Sequence, residues 1–476
     1  MAGKLPLYEA LVSHAKQHTS SFHVPGHKSG QAFPNEAAEF FRKILHIDLT
    51  EITGMDDLHA PEGIIEEAQQ LTAELYGVRK SFFLVGGSTA GNLAMIAASC
   101  ERGDLVFVQR NCHKSIFHAL QLAGVKPVFL YPEIDEDTQT PVGLVRETLQ
   151  EAIKQYPQAK ALVLTYPSYY GLANDISELI SLAHKHELTV LVDEAHGAHF
   201  VIGEPFPRSA VSMGADLVVQ SAHKTLPAMT MASFLHLNSE RVNEEKLVYY
   251  LQVFQSSSPS YPIMASLDIA RYYLQSFIEN NKKEAVIQEI QCFKEELVNI
   301  GYQVVKPKHD AVRHDPLKVI LQADASGYEL QQALEAENIF TELADPLNVL
   351  LVLPLDEIKQ KEEILSRFKQ AMLSLNQSMN QKASYTVKQP KQSVAALMLS
   401  YNDIQAKTKY RLPFKQAIGA ICAEMIVPYP PGVALLMPGE MIELPHIEQI
   451  HQLKEMGARF QNGEELWNEG ILVVRD

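Results

Sequence analysis

Cysteine is scarce in this chain, and the four present, Cys100, Cys112, Cys292 and Cys422, are scattered. They form no C-x-x-C pair and no zinc-like spacing, so neither a disulfide framework nor a metal site is expected, and a reducing, cytoplasmic setting fits. Long apolar runs are also missing. The longest, such as Asn348 to Leu355, fall far short of the roughly 20 residues that a membrane-spanning helix needs. The opening residues, Met1-Ala-Gly-Lys-Leu-Pro-Leu-Tyr8, lack the charged head and apolar stretch of a secretory signal. Nor is there an excess of basic charge. With 41 Lys plus Arg against 57 Asp plus Glu, the net charge is -16, which argues against nucleic acid and anionic membrane as partners. A small cationic substrate would meet a mildly favourable field.

What is present is the composition of a globular protein, 476 residues long and 46% hydrophobic, enough for more than one domain. From about residue 81 to 237, short β-branched or aliphatic runs alternate with helix-like stretches. Ser81–Val85, Leu105–Val108, Pro127–Tyr131, Ala161–Thr165, Thr189–Asp193, Asp216–Gln220 and Ala232–His236 read as buried strands. Between them lie helical stretches such as Ile176–His186, with Asp175 placed to cap its start. This alternation predicts an α/β fold with a mostly parallel sheet covered by helices on both faces.

Residues 1–65, rich in His, Pro and Gly, read as an N-terminal arm, followed by a large domain over 66–290 and a smaller C-terminal α+β part over 291–476. Helices are expected over Leu267–Ile278 and Glu284–Val298, and strands at Lys318–Leu321 and Val349–Val352. The polar piece Asn376–Gln392 reads as a linker or solvated loop.

In open α/β sheets, ligands bind beyond the carboxyl ends of the strands. After the first strand comes Gly86-Gly87-Ser88-Thr89-Ala90-Gly91-Asn92, a small-residue turn into a helix whose N–H groups and hydroxyls can cradle a phosphate. Taken singly, such a turn serves packing as readily. Asp193 ends another strand, where a lone aspartate more often caps a helix. Lys224 follows Ser221-Ala222-His223 directly after a buried strand; lysines are usually solvated, but this one is not placed like a surface residue. Together, the three pieces meet the separate demands of pyridoxal phosphate: an amine for its aldehyde, a cradle for its phosphate and a carboxylate for its ring nitrogen. His113, after the second strand, could lie against the ring, or be a surface histidine beside a capping Asn111.

At this point the chain resembles the ornithine/lysine/arginine decarboxylases, which share the aspartate-aminotransferase fold. The motifs are Ser21-Phe-His-Val-Pro-Gly-His-Lys28, Gly54-Met-Asp-Asp-Leu-His59, Gly86-Gly-Ser-Thr89, Asn111-Cys-His-Lys-Ser115, Asp193-Glu-Ala-His196, Ser221-Ala-His-Lys224 and Tyr429-Pro-Pro-Gly-Val433 with Pro438-Gly-Glu440. The likeness is closest to the compact bacterial form without an N-terminal wing domain. It implies that Lys224 is the Schiff-base lysine, Asp193 the partner of the pyridine nitrogen, His113 the stacking residue, and Gly87, Ser88, Thr89, Ser221 and His223 the phosphate site, with His196 near the ring hydroxyl. It implies too that Ser257 reaches the phosphate across a homodimer interface; the proton returned to the substrate's α-carbon is expected from Lys224, His223 or a bound water. A dicationic substrate (arginine or lysine, or else ornithine) would need an acid for its distal cation, and Glu440, Glu342 and Asp345 are the candidates. An aminotransferase, another enzyme of this fold, or a catalytically silent regulator are the alternative readings.

Overall fold

The computed structural model describes residues 3–17, 19–306, 308, 312–377, 385–387, 392–429 and 433–475. Most of the expected linker at 376–392 lies outside the described residues. The chain divides into two compact units, each discontinuous in sequence: residues 1–99, 189–204 and 208–283 form the first, and 100–188, 205–207 and 284–476 the second. These units interleave the three blocks expected from the sequence.

The strands that carry the chemistry are β1 (Lys80–Leu84), β2 (Leu105–Gln109), β3 (Lys126–Leu130), β4 (Ala161–Thr165), β5 (Leu172–Asn174), β6 (Thr189–Asp193), β7 (Leu217–Gln220) and β8 (Ser233–Leu237). All but β5 lie within a residue or so of their expected positions, because near-continuous Val, Leu and Phe runs suit a sheet covered on both faces. In the first unit the order is β1-β8-β7-β6. There β6 and β7 are parallel, and β8 runs against both β7 and β1, so three of the four strands point one way. Helices Ile64–Tyr76, Gly87–Ser99, Glu244–Phe254 and Tyr261–Glu279 belong to the same unit.

The N-terminal helix Pro6–Ala15 is tied down by a buried ion pair. Asp268 Oδ2 accepts from the amides of Leu7 and Tyr8 at 3.1 and 3.3 Å, while Asp268 Oδ1 lies 2.6 Å from Arg271 Nη2. The carboxylate thus satisfies donors at the first turn, where a helix has no internal acceptors for them.

In the second unit, β2 pairs in parallel with β3 and with β4, and the short strand Val394–Ala396 runs antiparallel to β3. A separate antiparallel sheet joins Leu343–Ala344, Val349–Val352, Lys318–Gln322 and Gln303–Val305, next to helices Gly327–Ala336 and Lys361–Gln377. β5 pairs with Val312–His314, a contact that no local pattern announced. The C-terminal stretch closes on its own core of Cys422, Ile426, Leu436, Ile450, Leu466 and Val473.

Candidate active site

In the first unit, three strand ends converge. β1 leads through Gly86 into the helix Gly87–Ser99, and the positive φ of Gly87 (72°) allows the tight entry. This places Ser88 in the first turn. Its hydroxyl lies 2.6 Å from Ser221 Oγ, at the end of β7, and 3.2 Å from Ser233 Oγ, at the start of β8. Three hydroxyls from three strand ends therefore gather at the N-terminus of a 13-residue helix, where partial positive charge favours an anion. Thr89 is exposed beside them.

One helical turn beyond Ser88, and so on the same face, stands Asn92, only 1% exposed. Its Nδ2 donates to Asp193 Oδ2 at 2.9 Å, and the amide of Ala195 donates to Asp193 Oδ1 at 3.2 Å. Asp193 is 4% exposed at the end of β6. The sequence motif assigns Asn92 no role; its i+4 spacing from Ser88 puts both on one helix face, but only the fold turns that face to Asp193.

The next side chain, Glu194, is fully buried, accepting from the Ala210 amide at 2.6 Å, Gln220 Nε2 at 2.6 Å and Ser209 Oγ at 2.8 Å. Burial pushes its carboxyl up to about 8, although these three donors pull the other way.

Lys224 sits in the short helix Ala222–Thr225, partly buried, with Nζ 3.0 Å from His196 Nε2. His223 Nδ1 donates to the Ala232 carbonyl at 3.0 Å, which fixes its tautomer. Lys224, His196, Asp193, Ser88, Ser221 and His223 thus belong to one compact unit, within a few residues of the ends of β1, β6 and β7. Ser257 lies exposed on the loop after Glu244–Phe254; the neighbouring Ser256 carbonyl lies 2.7 Å from His59 Nε2.

The remaining predicted residues lie in the second unit. His113, exposed, caps the helix Lys114–Ala123 with its own ring, Nδ1 accepting from the Ser115 amide at 3.3 Å, so the cap is His113 rather than the Asn111 of the alternative reading. Glu440 is held by Arg110 through two contacts of 3.1 and 3.0 Å and accepts from the Met437 amide. Asp345 accepts from Tyr170, Asn348 and the Leu347 amide, and burial raises its pKa. Glu342 is exposed at the rim of a cleft of about 390 Å³ lined by Phe293, Phe340, Leu353 and Phe368. Asp175 accepts from the Ser177 amide at 2.8 Å and so steadies its helix, which starts at Ser177, one residue later than expected.

Comparison with known proteins agrees with this architecture. A family model described as Orn/Lys/Arg decarboxylase, major domain, matches residues 5–312, and one for the C-terminal domain of the same enzymes matches residues 374–462. An uncharacterized protein of Bacillus subtilis (strain 168), YaaO, is 46% identical over 98% of both chains. An arginine decarboxylase of Bacillus anthracis is 32% identical, covering 99% of this chain and 97% of its own. Among solved structures, a lysine decarboxylase of Francisella novicida superposes with a TM-score of 0.82 at 20% identity, over 99% of this chain and 81% of its own. At that identity, the likeness speaks for the fold, which is the one expected from the sequence. Among the described residues, no helix is long and apolar enough to cross a membrane.

Proposed function

The chain belongs to the Orn/Lys/Arg decarboxylase family, a family of pyridoxal-phosphate enzymes that decarboxylate basic amino acids, and we propose that its substrate is arginine and that Lys224 and Asp193 hold its cofactor. The observation that carries the site is the presence, in one compact unit, of a buried carboxylate fixed by Asn92, a lysine amine 3.0 Å from an imidazole, and a cluster of serine hydroxyls. These residues fit the cofactor's three demands: Asp193 for the ring nitrogen, Lys224 for the aldehyde, and Ser88, Ser221, Gly87, Thr89 and His223 for the phosphate.

When bound, pyridoxal phosphate supplies an electron-accepting ring that takes up the electron pair left by the departing carboxylate. The chain's own residues do the rest. Asp193 keeps a proton on the ring nitrogen, and the donors from Asn92 and Ala195 hold the carboxylate aimed without cancelling its charge. By the family resemblance, His113 would cover the ring and His196 would lie near its hydroxyl. Lys224 Nζ, beside His196 Nε2, is positioned to exchange a proton with it and so to return one to the substrate's α-carbon; His223 is the second donor.

Arginine is favoured over lysine because the arginine decarboxylase from B. anthracis matches nearly end to end at 32% identity, whereas a lysine decarboxylase of Hafnia alvei reaches 23% over 76% of its own length. Of the three acids considered for the substrate's distal cation, Glu342 is assigned the task, supported by its carboxylate accepting no hydrogen bond among the described residues while Glu440 and Asp345 are engaged internally. A homodimer is inferred from the arm, which exposes Phe22 (95%) and Phe40 (86%), and from the exposed Ser257, which would complete the partner's phosphate site. A cytoplasmic enzyme supplying amines for polyamine synthesis is the setting that fits.

The test is a panel of arginine, lysine and ornithine with amine and carbon dioxide detection and no keto-acid acceptor. Agmatine from arginine is the expected result; turnover of lysine alone would reassign the substrate, and a strict need for an acceptor would remove decarboxylation.

A further inference from the structure

A row of polar side chains crosses the otherwise apolar interior of the first unit. Ser81 on β1 faces His236 on β8 in register, with Oγ 2.8 Å from Nδ1. His236 Nε2 lies 3.1 Å from Gln220 Oε1 on β7, and Gln220 Nε2 donates at 2.6 Å to Glu194, the residue after β6. All four residues are 0% exposed, and the Tyr76 ring lies 4.4 Å from that of His236. One side chain from each strand or strand end of β1-β8-β7-β6 thus joins a continuous chain. It can be satisfied with Glu194 ionised or protonated, since the Gln220 amide can turn over and the His236 tautomer can exchange.

Such a row is not the cheapest core. Replacing both partners of a buried hydrogen bond by apolar groups of the same shape is close to neutral in stability, so a run of four polar groups suggests a requirement for geometry. Its position shows which geometry. Glu194 follows Asp193 directly, and Gln220 precedes Ser221 directly, so the 2.6 Å bond between them ties the turn that follows β6 to the last residue of β7. The Ser221 amide, donating to the Ala195 carbonyl at 3.3 Å, is a second link between the same turns.

We propose that the row Ser81, His236, Gln220 and Glu194 is a positioning device for the cofactor, setting the spacing between the turn that bears Asp193 and His196 and the turn that bears Lys224. This rests on the reading that Asp193 and Lys224 hold that cofactor. None of the four touches it; they act through the two turns.

The test uses the full-length holoenzyme and two readouts besides activity: the cofactor dissociation constant, and the pH midpoint of the bound cofactor's visible absorbance. Gln220→Leu is expected to weaken cofactor binding by about tenfold, the effect of one strong hydrogen bond, and to move the midpoint by about half a unit or more. His236→Gln, which keeps a donor or acceptor toward Gln220, should stay close to the native values, while His236→Leu should follow Gln220→Leu. Native affinity and midpoint in folded Gln220→Leu and His236→Leu proteins would overturn the proposal, whatever their melting temperatures. If those proteins do not fold, Ser81→Ala at the far end of the row decides in their place: a smaller shift in the same direction supports it, and native values overturn it. Asp193→Asn and Lys224→Ala are measured alongside. If both of these bind and absorb like the native enzyme, the underlying reading fails, and the proposal falls with it.

Discussion

Two strand ends of this protein carry buried charge and treat it in opposite ways. Arg110, directly after β2, is matched within its own unit: Glu440 takes its guanidinium through two contacts, the carbonyls of Ala434 and Leu435 accept at 2.8 and 3.4 Å, and the guanidinium lies 5.3 Å from the Phe129 ring. Burial opposes its charge, but the Glu440 carboxylate outweighs that and raises the guanidinium pKa further. Asp193, at the end of β6, is held among the described residues by an amide side chain and a backbone N–H, both uncharged. The first arrangement cancels its charge and serves structure. The second orients a carboxylate with uncharged donors alone, the arrangement that the proposed cofactor role calls for.

The largest effect that would break this comparison is at Lys224. Lys224→Ala should lower kcat/KM by roughly a thousandfold or more while leaving the unfolding transition near native, as expected when a covalent catalytic group is lost; normal amine production by that variant would remove the site assignment. Next comes the cancelled pair. Arg110→Met strands Glu440 as a buried, unmatched carboxylate and should cost about 3–5 kcal/mol in urea unfolding, most of it regained in the Arg110→Met/Glu440→Leu double variant. A full loss in the double variant would show that Arg110 has a task beyond neutralising its partner.

Glu194 sharpens the contrast, because its folded pKa lies above its unfolded value of 4.5, at about 8. Between those values the native state keeps a proton that the unfolded chain has released. The stability associated with neutral Glu194 is therefore complete below about pH 4.5 and lost as pH rises through about 8. Relative to Glu194→Gln, the native protein should lose on the order of 2–4 kcal/mol between pH 5 and pH 9. Parallel urea melts at the two pH values check this, and a constant difference would mean that the three donors keep the group ionised throughout. The smallest expected effect is at Asn92. Asn92→Ala removes the amide that orients Asp193 and should cost about 1 kcal/mol of cofactor affinity, with little change in melting temperature.

Much of this was legible in order along the chain. The apolar runs marked β1, β2, β3, β4, β6, β7 and β8, since a strand covered on both faces must be apolar at nearly every position. The residues just beyond β1, β6 and β7 then named the cradle, the acid and the lysine. Other features were not legible. Asn92 is one of many polar helix residues until the fold turns its face to Asp193. Glu440 reads as an available acid until Arg110, 330 positions away in sequence, is found on it. The strand β5 and its partner Val312–His314 pair across an intervening stretch that itself holds several strands and helices, with no strong periodicity in either.

The sequence by itself determined the class of fold, the lysine and carboxylate that suit the cofactor, and the exclusion of a membrane-spanning helix, because these depend on residue type and on spacing of a few positions. Only the tertiary structure decided which charges are cancelled and which are presented, and that Ser81, His236, Gln220 and Glu194 form one row. Hydrogen bonding and ion pairing between residues 16 to 330 positions apart depend on strand order and register, which local sequence does not encode.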